Sequence, residues 1–60
     1  MTTIKHTDIT WERNPNGSWT ATALLPSWDG GYFAHRTYYG CTKAEREHMA
    51  YIDFNEEAGI

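Results

Sequence analysis

The sequence predicts an α+β fold in which a three-stranded antiparallel meander packs against one C-terminal α-helix, in the order βββα. Up to Tyr39 the chain alternates apolar and polar residues between turn-forming residues, which is typical of antiparallel strands. From Thr42 onwards the spacing of its residues becomes helical. The 60 residues form a single small domain, in which we expect residues 1–7 and 56–60 to be loosely ordered.

The first two strands are predicted to form a hairpin around residues 14–18. Pro15 suits the first central position of a type I turn, Asn16 the second, and Gly17 the left-handed position of a bulge. Asn14 should therefore face Ser18. The resulting register places five apolar residues on one face: Ile9, Trp11, Trp19, Ala21 and Ala23. A two-residue turn would instead separate the two tryptophans, so we prefer the register that sorts apolar from polar side chains.

The third strand is predicted over residues 32–39, after a loop at residues 26–31. Its side chains fall into two alternating sets. One set, which shares the parity of Cys41, contains Phe33, His35, Thr37 and Tyr39. The other contains Tyr32, Ala34, Arg36 and Tyr38. We expect the first set to face inward and the second to lie on the open face of the sheet.

The helix is predicted to begin after Thr42, because Thr42 and Glu45 have the spacing of a capping box. It should end at Phe54 or Asn55. A helical wheel groups four residues on the side expected to cover the sheet, with Met49 at the edge of that side. These four are Ala44, His48, Tyr51 and Ile52. Ala50 and Phe54 fall on the opposite side, so the helix is not cleanly amphipathic.

The composition supplies a core without cross-links. Three Trp, four Tyr and two Phe bury large areas, and we expect Trp11 and Trp19 to be core residues. The single cysteine, Cys41, excludes an internal disulfide and fits a reducing cytoplasm, and we expect it to be a small buried residue behind the helix start. No stretch approaches the roughly 20 apolar residues of a membrane span, and no export signal is apparent.

No catalytic, cofactor or metal motif is visible. The histidines His6, His35 and His48 share no metal-binding spacing with one another or with Cys41, and we expect His48 to be partly buried. Neighbouring carboxylates occur at the helix start and in the tail, but acid–base catalysis needs a concave site that separates their environments. We therefore predict a protein that is not an enzyme and carries no cofactor or metal.

The charge pattern disfavours a nucleic-acid partner. Five Lys and Arg against eight Asp and Glu give a net charge of −3. The five basic residues are dispersed along the chain, whereas binding to a phosphate backbone requires clustered cations.

Exposed aromatic residues beside an arginine predict a protein partner, since Trp, Tyr and Arg dominate protein-binding hot spots. Trp28 lies in a Gly/Asp loop that does not require an indole, and the set of Tyr32, Arg36 and Tyr38 would form an aromatic patch if it faces outward. We therefore predict these four residues as the partner-binding site. The sequence is also compatible with a homodimer.

Three short patterns resemble known families. A Gly-x-Trp-x-Ala element at residues 17–21 and a Thr-Lys-x-Glu helix start at residues 42–45 are similar to the βββα arm-type DNA-binding domains of tyrosine integrases and to the related plant ethylene-response-type domains. The Tyr-Tyr-Gly-x-Thr-Lys run at residues 38–43 resembles small uncharacterised proteins of actinobacterial phages. The similarity covers roughly residues 9–54, although these families usually place an apolar residue where this chain has Arg46.

The resemblance implies the fold more directly than the activity. Those DNA-binding families read the major groove with basic and aromatic residues on the open sheet face, whereas the matching strand positions here are Thr10, Glu12, Thr20 and Thr22. We therefore predict a small phage-type accessory protein that binds a protein, such as a host protein in the host cytoplasm. The alternative is a DNA-binding or DNA-modulating module of the integrase-arm type.

Overall fold

A computed structural model describes residues 4–59 and confirms the βββα architecture. The elements in chain order are a short 3₁₀ helix at His6–Asp8, the strands β1 (Thr10–Arg13), β2 (Trp19–Leu25) and β3 (Tyr32–Tyr38), and the helix α1 (Lys43–Glu57). The strands form one antiparallel sheet in the order β1-β2-β3, so β2 is central. The helix packs on one side of the sheet, called here the inner face, and the other side is the open face.

The predicted hairpin register between β1 and β2 is confirmed. Arg13 pairs with Trp19, and beyond this pair the Asn14 N–H donates to the Ser18 carbonyl at 2.8 Å. Gly17 closes the turn through its N–H, which donates to the Asn14 carbonyl at 3.0 Å, and it adopts a φ of 86°. A side chain at Gly17 would strain this left-handed position, which explains why the three-residue loop has glycine there.

The predicted inward set of β3 is wrong. The β2–β3 register sets Ala23 opposite Ala34 and Trp19 opposite Tyr38, so the even-numbered residues of β3 face the helix. Tyr38 is only 7% exposed, whereas Phe33 is 68% exposed. The parity of Cys41 was misleading because Gly40, with a φ of 66°, turns the chain before Cys41 and interrupts the strand alternation. The inner residues of β3 are Tyr32, Ala34, Arg36 and Tyr38.

The predicted capping box of α1 is present. The Glu45 N–H donates to Thr42 Oγ1 at 3.2 Å, and the Thr42 N–H donates to Glu45 Oε1 at 3.0 Å. The bond from the Thr42 backbone favours the charged form of the Glu45 carboxyl and lowers its pKa. The helix continues to Glu57, two residues beyond the later of the two predicted ends.

The predicted sheet-facing side of α1 is wrong. Ala50 and Phe54, which the wheel placed on the opposite side, are fully buried, and Asn55 is buried beside them. Ile52 is exposed instead, as are Ala44 and His48, two further members of the predicted set. The fourth, Tyr51, is half-buried and stacks on His6, with ring centroids 4.6 Å apart. The wheel failed because the sheet-facing side of the helix also carries charged residues, which contact aromatic and polar side chains of the sheet.

The core lies between the inner face and α1. Its largest fully buried side chains are Leu25 and Phe54, and four alanines around them let the helix approach the sheet closely. Trp11, Trp19 and Cys41, which we expected to be buried, are half-buried instead, and of these Trp11 and Cys41 pack against this core. The buried apolar residues are Ile4, Ile9, Ala21, Ala23, Leu25, Ala34, Tyr38, Ala50 and Phe54.

The Asn55 side chain holds the start of the described chain against α1. The Ile4 N–H donates to Asn55 Oδ1 at 2.9 Å, and Asn55 Nδ2 donates to the Ile4 carbonyl at 3.1 Å and to the Tyr51 carbonyl at 2.8 Å. Ile4 is 3% exposed. The residues that we expected to be loosely ordered include residues 1–3 and 60, which lie outside the described residues.

We predict that Asn55→Ala destabilises the fold by about 1–3 kcal/mol, because it leaves the buried N–H and carbonyl of Ile4 without partners. Urea denaturation would give the free energy of unfolding, and hydrogen exchange should show faster exchange at the Ile4 amide. Glu56→Ala, a change at the exposed neighbouring position, should stay within about 0.5 kcal/mol of the parent chain. Equal stability of the two variants would contradict a structural role for Asn55.

Candidate functional site

Three of the four predicted partner-binding residues lie on the inner face and bond to α1. The Tyr38 hydroxyl donates to Asp53 Oδ2 at 2.7 Å, and the Tyr32 hydroxyl donates to Glu57 Oε2 at 2.9 Å. Arg36 forms an ion pair with the other oxygen of Glu57. The expected patch of Tyr32, Arg36 and Tyr38 is therefore not on the open face, and these side chains connect the edge strand to the helix.

Burial raises the pKa of the Tyr38 phenol, and its hydrogen bond to the Asp53 carboxylate raises it further. The pKa of Tyr32 is also raised, mainly by its hydrogen bond to Glu57. In both cases the neutral hydroxyl is the form that donates to the helix. The link between β3 and α1 therefore depends on tyrosines that stay protonated.

We predict that this link weakens at alkaline pH. A pKa raised by folding gives stability that is complete below the unfolded tyrosine pKa of about 10 and is lost as the pH rises through the folded value. Tyr38→Phe should cost about 0.5–1.5 kcal/mol at neutral pH and should reduce the loss of stability above pH about 10. Urea denaturation as a function of pH would test this, with exposed Tyr39→Phe as the matched control. An unchanged alkaline slope in Tyr38→Phe would contradict it.

Arg46 lies over both tryptophans of the inner face. Its guanidinium carbon is 4.3 Å from the ring centroid of Trp19 and 5.5 Å from that of Trp11. Its Nε is buried and has no hydrogen-bond partner among the described residues. Cation–π attraction to two indoles therefore replaces the hydrogen bonds that water would supply. The families that the sequence resembles usually have an apolar residue at this position. Arg46 instead places a cation in the helix–sheet contact.

We predict that Arg46→Ala lowers the free energy of unfolding by about 1–2 kcal/mol, since it removes the cation–π contacts and the packing of the side chain. Arg46→Lys should recover only part of the loss because an ammonium cannot stack on a ring. Exposed Arg13→Ala is the charge-matched control, with an expected change within about 0.5 kcal/mol. Chemical denaturation measures all three. Full stability of Arg46→Ala would show that the contacts with Trp11 and Trp19 are dispensable.

The centre of the open face carries short polar side chains. The Thr22 hydroxyl lies 2.9 Å from His35 Nδ1, and the Thr20 and Thr37 hydroxyls are 3.4 Å apart. These cross-strand contacts satisfy the polar groups within the sheet. Among the described residues, the polar side chains of this face are Thr10, Glu12, Thr20, Thr22, His35 and Thr37. None of them is a Lys or an Arg.

An apolar patch lies where the open face meets the β2–β3 loop. Leu24 and Phe33 are cross-strand partners and are 53% and 68% exposed. Trp28, in the loop that joins their strands, is 97% exposed. These three residues are called the apolar end. Leu24 also borders a cleft of about 350 Å³, which is further lined by Ile4, Asp8, Leu25, Pro26 and Gly30.

The loop that carries Trp28 is held by its own hydrogen bonds. Ser27 contributes to three of them, because its hydroxyl donates to Asp29 and accepts the Gly31 N–H at 3.1 Å, and its carbonyl accepts the Gly30 N–H at 3.1 Å. Gly31 has a φ of 129°, and a Cβ there would lie 3.0 Å from the Leu25 carbonyl oxygen. The loop thus has a defined conformation that leaves the indole in water.

Sequence reasoning identified Trp28 but missed Leu24 and Phe33. Two signals could have found them. Leu24 and Leu25 are consecutive in a strand, so only one of them can face the helix. The six-residue loop then pairs Leu25 with Tyr32, which leaves Phe33 beside Leu24 on the open face.

Within residues 4–59, no group of three or more His, Cys, Asp or Glu side chains is placed to hold a metal ion. In the same range, no helix has the length and apolar character needed to cross a bilayer. Comparison of the chain with protein-family models, curated proteins and solved structures finds no match.

Proposed function

We propose that this chain is a non-enzymatic protein-binding module and that its apolar end is the centre of the binding surface. The observation that carries the proposal is the exposure of three large apolar side chains in one hairpin: the cross-strand partners Leu24 and Phe33, at 53% and 68%, and Trp28 in the loop that joins their strands, at 97%. Clusters of large exposed apolar side chains mark interaction sites, because covering them releases about 25 cal/mol per Å² of apolar surface.

The distribution of cations favours a protein over nucleic acid. Arg36 is paired with Glu57, and Arg46 is stacked on the tryptophans. The remaining basic residues, Lys5, Arg13 and Lys43, lie in the N-terminal segment, at the end of β1 and at the start of α1. No Lys or Arg extends from the described open face, which is the surface that integrase-arm domains would present to DNA.

The proposed setting is a phage accessory protein that acts on a host protein in the host cytoplasm. It rests on the resemblance of residues 38–43 to proteins of actinobacterial phages.

We predict that the immobilised chain captures a protein from an actinobacterial lysate and that Phe33→Ser or Trp28→Ala weakens this binding at least tenfold, as expected for hot-spot residues. The captured protein would be identified and purified, and calorimetry would give its affinity for each variant. Ile52→Ala removes an exposed apolar side chain from α1 and should bind like the parent chain. Circular dichroism of the Phe33 and Trp28 variants should match that of the parent.

Titration with duplex DNA distinguishes the alternative. Each phosphate contact lowers log K by about 0.9 per unit of log salt concentration. We expect negligible duplex binding near physiological salt. Tight duplex binding with a steep salt dependence would overturn the proposal in favour of a DNA-binding module of the integrase-arm type.

A further inference from the structure

We infer that the partner adds an extended strand to the outer edge of β3 and that this strand alternates apolar with basic side chains. The inference rests on the proposed protein-binding function and specifies how the partner is recognised. It commits to a peptide segment of that composition, argued from the backbone of β3, the side chains flanking it, and the charges beside it.

The outer edge of β3 is unpaired in the described chain. β3 lies at one side of the sheet, and all of its seven residues pair with β2 in a continuous register that contains no bulge. The turn, loop and cap hydrogen bonds between backbone groups of residues 4–59 do not involve it. In an antiparallel pair, about every second residue turns both its N–H and its carbonyl away from the neighbouring strand. β3 therefore presents a row of donors and acceptors along its outer side.

This edge has few of the features that usually prevent strand addition, the inward-facing charge of Arg36 being one. Edge strands are normally protected by shortness, charge, proline or a bulge. The opposite edge, β1, is protected in this way, because it has four residues and two of them, Glu12 and Arg13, are charged. β3 is longer, has no proline, and carries a single charged residue, Arg36, whose side chain bonds to Glu57.

The open-face side of this edge would accept apolar residues. Side chains of an added strand point alternately to the two faces of the sheet. Those on the open face would lie next to Phe33, which is 68% exposed and belongs to the apolar end. One strand could therefore cover Phe33 and extend the contact towards Leu24 and Trp28.

The inner-face side would accept basic residues. A cleft of about 390 Å³ is lined by Arg36, Asp53, Glu56 and Glu57, which places three carboxylates beside one guanidinium. The cleft lies on the flank of α1 nearest β3, because Asp53 and Glu57 bond to residues of β3. A strand added to β3 would direct every second side chain to this flank. The excess of negative charge there favours a Lys or an Arg.

The same charge distribution disfavours a second copy as the occupant. Antiparallel pairing of β3 with β3 of another copy would bring two of these acidic clefts to one junction. The net charge of −3 on each chain would add to this repulsion. A partner segment that carries cations has no such cost.

The test uses a synthetic probe peptide, Thr-Val-Lys-Val-Lys-Val-Thr with blocked ends, titrated into ¹⁵N-labelled full-length protein. We expect amide shift changes concentrated in residues 32–38 and 53–57. The matched peptide Thr-Val-Glu-Val-Glu-Val-Thr should bind at least tenfold more weakly. The amides of the Lys peptide form two alternating sets, of which only one faces β3. N-methylation of the set that faces β3 should abolish binding, and N-methylation of the other set (the second phase) should not.

Protein variants locate the charge contribution. Glu56→Gln should weaken binding of the Lys peptide about two- to fivefold, the range for an exposed ion pair. Glu12→Gln removes the same charge from the opposite edge strand and should leave the affinity unchanged. Both positions are exposed, so the fold should be retained and can be checked by the amide spectrum.

Three results would overturn the inference. They are tolerance of N-methylation in both phases, equal affinity for the Lys and Glu peptides, and concentration-dependent shifts along β3 in the free protein, which would assign the edge to a second copy. Failure of the peptide together with a captured protein that is lost on Phe33→Ser would reject strand addition but retain the proposed function. Failure of both the peptide and the capture would reject both.

Discussion

The contact between α1 and the inner face determines which surfaces of this domain remain available. Its centre is small, with Phe54 and Leu25 surrounded by alanines, and charged side chains hold it at both ends. Near the start of α1, Arg46 lies over two indoles, and near its end Glu57 bonds to Tyr32 and Arg36. A domain of this size buries only about 60% of its unfolded surface, so these contacts near the two ends of α1 matter for its stability.

Because polar groups form part of this contact, the arginines and tyrosines that would otherwise suggest a binding surface contact the helix or its partners in the sheet instead. Arg36 bonds to the exposed Glu57 carboxylate of α1, and Tyr38 bonds to the half-buried Asp53 carboxylate. The open face is left with hydroxyl groups at its centre and apolar side chains at one end. The proposed protein binding starts from this division of the sheet into a face covered by the helix and an uncovered face.

Local chemistry made part of the fold predictable from the sequence. The loop at residues 15–17 and the Thr42–Glu45 cap depend on neighbouring residues, and both form as expected. The parity of β3 and the orientation of α1 depend on contacts between distant segments. An apolar wheel cannot locate the sheet-facing side of a helix when Arg46, Asp53 and Glu57 contribute to it, because their partners lie in strands far along the chain. The same holds for the candidate site. Trp28 could be identified from its loop sequence alone, whereas Phe33 could be identified only from the pairing register of β2 and β3.

The apolar end is more exposed than the apolar residues on the surface of α1. Met49 and Ile52 are 42% and 39% exposed on α1. They lie about one helical turn apart, both are less exposed than Leu24, Phe33 and Trp28, and partly exposed apolar side chains of this kind are normal on a protein surface. Leu24 and Phe33 are cross-strand partners, and the loop that joins their strands leaves Trp28 in water while its own hydrogen bonds hold its conformation. Since the fold gains no burial from the Trp28 indole, a role for that side chain in the proposed binding surface would cost the fold no packing.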